Sequence, residues 1–124
     1  MAKKEESIQL AVCKYIKLQY PDVIFTSESS GIRLTIGQAV KAKKMRSNHK
    51  LPDLWILEPK GMICGLLIEL KVGNPYKMNG QPKTPHFAHQ LETIELLKKK
   101  GYSAIVCSSF DEAKKSIDNY LKRL

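Results

Sequence analysis

One glutamate interrupts an almost wholly apolar stretch of this chain, Ile63 to Val72, which reads ICGLLIELKV. A run of this kind predicts a central strand covered on both faces. Holding the Glu69 carboxylate there costs on the order of several kcal/mol in desolvation unless something compensates. Side chains alternate along a strand, so Glu69 and Lys71 share one side while Leu70 points away. Two remedies fit the residues. One is an ion pair with Lys71 or another base. The other is a divalent cation shared with Asp53, which opens the neighbouring strand segment DLWILE.

The turn EPKGM joins these two segments, so they form an antiparallel hairpin. Upstream, Ser7 to Tyr20 carries Ile8, Ala11, Val12, Tyr15 and Ile16 at helical spacing, and Pro21 ends that helix. Val23, Ile24 and Phe25 predict a short strand, followed by the polar turn TSESSGIR. Residues 33–50 carry a weak pattern and read as a basic loop. Downstream, 73–85 holds two Gly and three Pro and reads as a loop. His86 to Lys100 predicts a helix with Phe87, Leu91, Ile94 and Leu97 on one side, closed by Gly101. Tyr102 to Cys107 is another strand, and Asp111 opens a last helix with Ala113, Ile117, Tyr120 and Leu121 in phase. The order α-β-β-β-α-β-α predicts an α/β fold: one mixed sheet flanked by helices, its strand-helix-strand unit a right-handed parallel crossover. At 124 residues the expectation is a single domain, 1–124.

Composition narrows the partner. Lys and Arg number 21 against 12 Asp and Glu, a formal charge of +9, which points to an anionic partner, nucleic acid before an acidic membrane surface. No apolar run approaches the roughly 20 residues needed to cross a bilayer, and MAKKEESIQ has no apolar stretch behind its lysines. A cytoplasmic chain with no membrane partner is expected. Cys13, Cys64 and Cys107, each beside apolar residues, read as reduced and buried rather than as a disulfide set. The HFAH segment, His86 and His89, offers two metal ligands without two close companions, which is too few for a structural zinc site.

Hydrolysing a phosphodiester needs charge neutralisation at the phosphoryl oxygens and a means of holding and deprotonating water. Two carboxylates plus a backbone carbonyl form a hard oxygen site suited to Mg²⁺, and a lysine on the same face can orient the attacking water. The segment LPDLWILEPKGMICGLLIELK resembles the PD-(D/E)xK motif of the restriction-endonuclease-like superfamily in Pro52-Asp53 and Glu69-Leu70-Lys71. The chain as a whole resembles the compact VRR-NUC nucleases found in phages and fused in larger repair nucleases. An acidic residue before Ile8-Gln9, Ser29-Ser30-Gly31, Gln90 and Gly101-Tyr102 extend the likeness over almost the whole chain.

That resemblance implies a restriction-endonuclease-like mixed sheet and a Mg²⁺-dependent DNA endonuclease, with Mn²⁺ able to substitute. Asp53, Glu69 and the Leu70 carbonyl would hold the metal, Lys71 would act on the water, and Gln90 would face the site from its helix. The family's acidic residue on the first helix is Glu5 or Glu6; helical phase favours Glu5, on the side of Ile8, Val12 and Ile16. The phage proteins of this kind are associated with homodimers acting on branched DNA such as four-way junctions, and with the host cytoplasm.

Arg33, Lys41, Lys43, Lys44, Arg46 and Lys50 precede Asp53 with no acidic residue among them, as expected of phosphate contacts. Asn48 and His49 lie beside them. Tyr76, Lys77 and Lys83 are further candidates in the 73–85 loop. Only three of the 21 basic residues are arginines, so backbone and shape recognition fits better than base reading. A non-catalytic DNA- or RNA-binding module keeping the same fold is the competing expectation.

Overall fold

The hairpin predicted from the apolar run forms, and the rest of the chain is laid around it. The computed structural model describes residues 2–27 and 34–122; Arg33 and Ser29-Ser30-Gly31 lie outside the described residues. The elements are α1 (Ala2–Gln19), β1 (Phe25–Ser27), α2 (Ile36–Lys44), β2 (Leu54–Ile56), β3 (Leu66–Leu70), α3 (Pro85–Lys99), β4 (Ser103–Cys107) and α4 (Phe110–Leu121). The four strands form one sheet in the order β1-β2-β3-β4. β1 and β2 pair antiparallel, as do β2 and β3, while β3 and β4 run parallel through α3.

Every residue of β3 is buried, because both faces of the sheet are covered. Alternation divides the side chains. Leu66, Ile68 and Leu70 join Leu54 and Ile56 in a core with Val12 and Ile16 of α1 and Ala113, Ile117 and Tyr120 of α4. Leu67 turns to the other face, where Ile94 and Ala104 are buried and Trp55, Leu91, Leu97, Tyr102 and Val106 pack against them. Glu69 shares the parity of Leu67, so its side chain faces α3.

Local chemistry fixes the ends of these helices. Thr84 caps α3 by accepting from the Phe87 amide, with Pro85 in the first turn. At the other end Gly101 N–H bonds the Lys98 carbonyl and Tyr102 N–H the Leu97 carbonyl. This doubled cap needs a left-handed residue, and Gly101 supplies it at φ 101°. Gly65 serves a close approach instead: a Cβ there would stand 2.7 Å from the Ile56 carbonyl oxygen.

Three expectations are corrected. The basic stretch is not a loop, because Ile36–Lys44 is helical and begins with a capping box between Thr35 and Gln38. None of its residues is buried, so the apolar periodicity that betrays core helices is missing. The final helix starts at Phe110 with Ser109 as its cap, one residue before Asp111. Of the three free cysteines only Cys107 is buried; Cys13 is half-buried and Cys64 exposed. Among the described residues no helix is long and apolar enough to cross a membrane.

Candidate active site

β2 and β3 pair Leu54 with Ile68, and one further step of this antiparallel register sets Asp53 opposite Glu69. Asp53 stands where the ladder ends. Its Oδ2 accepts the Leu70 amide at 2.7 Å, replacing a main-chain acceptor. Successive residues of a strand aim their backbone groups at opposite neighbours. The Lys71 amide bonds Cys107 of β4, so the amide and carbonyl of Leu70 face the Asp53 side. The Asp53 main chain is held as well: Gln9 Nε2 of α1 reaches its carbonyl at 3.3 Å. The buried Pro52 before it accepts from Trp55 Nε1 at 2.7 Å.

Glu69 is only 2 % exposed. Its Oε2 accepts from Gln90 Nε2 of α3 at 3.0 Å, while its Oε1 is buried without a partner. Gln90 Oε1 is likewise buried and unpartnered. Burial, reinforced by the charge of Asp53, pushes the Glu69 carboxyl up to about 9. Burial also raises Asp53, against the opposing effect of the Leu70 amide. Burial and the adjacent carboxylate thus favour the protonated form of Glu69. The ion pairs Lys98 with Glu95 and Lys114 with Asp118, among the described residues, lie elsewhere. The ion-pair remedy for Glu69 is thus replaced by a proton that burial and the Asp53 carboxyl favour, and by the amide of Gln90.

Lys71 extends from the end of β3 over the Phe87 ring, its Nζ 5.6 Å from the centroid, and its charge bears on both Asp53 and Glu69. Tyr76 packs edge-on against the same ring at 5.3 Å. The 73–85 segment has internal order, with Tyr76 bridged to Pro82 and the Lys83 amide bonded to the Pro75 carbonyl. Lys77 and Lys83 are exposed on it.

Glu5 reaches this end of the sheet from α1. Its Oε2 accepts the Val72 amide at 3.2 Å, and its charge acts on Asp53 and Glu69. Glu6 is exposed. Among the described residues no group of three or more His, Cys, Asp or Glu side chains forms a ready metal cluster. A cation here would depend on the pair Asp53 and Glu69 together with main-chain oxygen. The unpartnered Glu69 Oε1, in a carboxyl whose proton is favoured by burial and by the neighbouring Asp53, fits that donor set.

A cleft of about 530 Å³ reaches Gln90, the partner of Glu69, and is lined by Lys43, Arg46 and Lys50 on one side and by His86 and His89 of α3 on the other. Lys41 and Lys44, on the same helix as Lys43, are not in its wall. A second cleft of about 340 Å³ touches Lys71 and Tyr76. Gln9, His86 and Phe87 belong to this neighbourhood and were not singled out as site residues from the sequence. Gln9 follows Glu5 by four residues, one helical turn along the same face, and that spacing was the available signal. His86 was visible only as half of a metal-like pair.

An antiparallel hairpin carrying PD and ExK, a helix bearing Gln90 and a parallel strand behind it define a restriction-endonuclease-like α/β protein. A solved structure described as a VRR_NUC domain protein matches with a TM-score of 0.70 and 31% sequence identity, covering 95% of this chain and 88% of that one. The chain belongs to the VRR-NUC family. No family model and no curated protein matches the sequence.

Proposed function

We propose that this protein is a metal-dependent endonuclease that hydrolyses DNA phosphodiester bonds, as a single domain over 1–124. The observation that carries the reading is the buried Glu69 opposite Asp53, with an oxygen lacking any partner and Lys71 beside it. Asp53, Glu69 and the Leu70 carbonyl would hold Mg²⁺ or Mn²⁺, with Glu5 as the carboxylate contributed by α1. The ion, when bound, supplies positive charge at the phosphoryl oxygens and a lowered pKa for water. Lys71 holds the attacking water or the developing oxyanion, and the Phe87 ring beneath it fixes its position. Gln90 orients Glu69 so that the free oxygen faces the site.

Backbone recognition by Lys41, Lys43, Lys44, Arg46 and Lys50, with Arg33, Tyr76, Lys77 and Lys83 as further contacts, suits a substrate distinguished by shape. Branched DNA such as a four-way junction is such a substrate. Cutting its two strands symmetrically calls for a homodimer, working in the cytoplasm where such DNA arises.

The test is incubation of the pure protein with junction, flap and linear DNA, with and without Mg²⁺ or Mn²⁺, beside a Lys71→Ala control. Metal-dependent cleavage that the variant loses supports the reading. Binding without cleavage under all conditions favours a non-catalytic DNA- or RNA-binding module, and matched RNA and DNA substrates separate those two polymers.

A further inference from the structure

The parallel strands β3 and β4 run out side by side into Lys71 and Ser108, the residues that follow Leu70 and Cys107. Ligands of α/β sheets gather in the crevice outside the carboxyl ends of such strands. A cleft of about 340 Å³ lies there, and Lys71, Asn74, Tyr76, Val106, Ser108 and Glu112 stand in its wall. Hydrolysis uses Lys71 and leaves Val106, Ser108 and Glu112 without a task.

The chemistry of this wall is mixed. Glu112, in the first turn of α4, accepts from the Ser108 hydroxyl and, at 3.4 Å, from the Ser108 amide. An exposed carboxylate is thereby pinned at the rim. Asn74 accepts the Tyr76 amide through Oδ1 at 3.0 Å and keeps its NH2 group as a donor. Tyr76 and Val106 are half-buried. The Tyr76 ring is braced edge-on at 5.3 Å by Phe87, the ring over which Lys71 stands. A phosphate needs donors alone, and a carboxylate in the wall repels it. A flat heteroaromatic group with amino donors and ring acceptors on its edge matches the whole set. Its faces suit Tyr76 and Val106, its amine suits Glu112, and its acceptors suit Asn74.

We infer that this cleft receives one unpaired nucleobase, from the nucleotide beside the phosphate at Lys71, with Glu112 accepting from its exocyclic amine. This rests on the nuclease reading and names what that site selects. In a continuous duplex the base edges are paired and the faces stacked, so only a base outside the stack can enter. A branch point or a bulge supplies one. Lys71 ties the base to the reaction, because it lines the cleft and its charge bears on Asp53 and Glu69. At about 340 Å³ the cleft stands at the small end of the roughly 300–1,000 Å³ usual for small-molecule sites, room for one base with its sugar.

The experiment measures binding in EDTA by fluorescence anisotropy for three duplexes that differ only at the centre: fully paired, with one extrahelical cytosine, and with one extrahelical thymine. The wild type should bind the cytosine-bulged duplex about tenfold more tightly than the paired one, the scale of one base stacked on an aromatic ring. It should bind thymine less tightly than cytosine, because the carbonyl oxygens flanking the thymine N3–H are repelled by a carboxylate. Glu112→Gln should lose the preference for cytosine over thymine, and Tyr76→Leu most of the preference for a bulge. In the wild type, the Val106 methyl NMR resonances should shift on adding bulged duplex and stay in place on adding paired duplex. That measurement decides the matter if the variants fail to fold.

Equal affinity of the wild type for all three duplexes overturns the base pocket and leaves the nuclease reading standing. A bulge preference that both folded variants keep in full is a response to bent DNA and also overturns it. If inorganic phosphate alone moves the Val106 resonances as bulged duplex does, the cleft takes an anion and the base assignment falls. A wild-type protein that binds none of the duplexes sinks both the pocket and the nuclease.

Discussion

Gln90 of α3 donates its amide to Glu69 of β3 across 3.0 Å, and each of the two side chains keeps one buried oxygen without a partner. Two residues 21 positions apart in the chain, one on a strand and one on a helix, are thereby joined at a polar point inside an apolar layer. Gln90→Leu removes the donor and leaves a second Glu69 oxygen unsatisfied, which should cost about 1–3 kcal/mol. Urea denaturation at pH 7 measures it. A variant as stable as the wild type would mean that Glu69 finds another donor.

Stability should fall as the pH rises across neutrality. Burial, with Asp53 opposite, raises Glu69 from 4.5 to about 9. Between those values the folded protein keeps a proton that the unfolded chain has released, so higher pH favours unfolding. The contribution is complete below 4.5 and is lost progressively up to about 9, with a slope of at most about 1.4 kcal/mol per pH unit. Asp118 acts in the opposite sense at low pH: burial works against it, but bonds from Tyr15, Tyr20 and Lys114 carry it below the ordinary carboxylate range. Denaturation of wild type and Glu69→Gln at pH 6, 7 and 8 isolates the effect. The variant should lose most of the slope and be the more stable protein at pH 8.

Adding Mn²⁺ should raise the melting temperature of the wild type more at pH 8 than at pH 6, since binding at Glu69 displaces its proton. At a concentration a hundred times Kd the gain is about 2.7 kcal/mol. Asp53→Asn and Glu69→Gln should abolish it in thermal melts. A gain that survives in both variants would place the ion elsewhere.

Lys71→Ala should lower cleavage by about a hundredfold or more while leaving the melting temperature nearly unchanged, because the side chain is only partly buried. Phe87→Leu should lower it less and cost about 1–2 kcal/mol of stability, through the lost ring beneath Lys71. Single-turnover rates beside melting curves separate the two effects.

Position within the basic segment should matter more than charge alone. Lys43 and Lys50 line the cleft, whereas Lys41 and Lys44 do not. Replacing Lys43 or Lys50 by Ala should each reduce the slope of log Kd against log salt by about 0.9. The same change at Lys41 or Lys44 should reduce it less. Equal effects at all four positions would describe a diffuse field instead of a track.

Much of this molecule was legible in its sequence because alternation and helical period act locally. The apolar run around Glu69 announces a covered strand, the DLWILE segment announces its neighbour, and the phase of α1 favours Glu5 over Glu6. α2 escaped because it buries nothing; the Thr35–Gln38 capping box was its only local mark. The sequence by itself determined that the runs containing 66–70 and 103–107 had to be strands and that one carboxylate would be stranded among them, whereas β1 lies at Phe25–Ser27 rather than at Val23 to Phe25. Only the tertiary structure decided how Glu69 is compensated, because Gln90 and Asp53 come to it from distant parts of the chain, and a proton's affinity for a buried carboxyl depends on what packs around it.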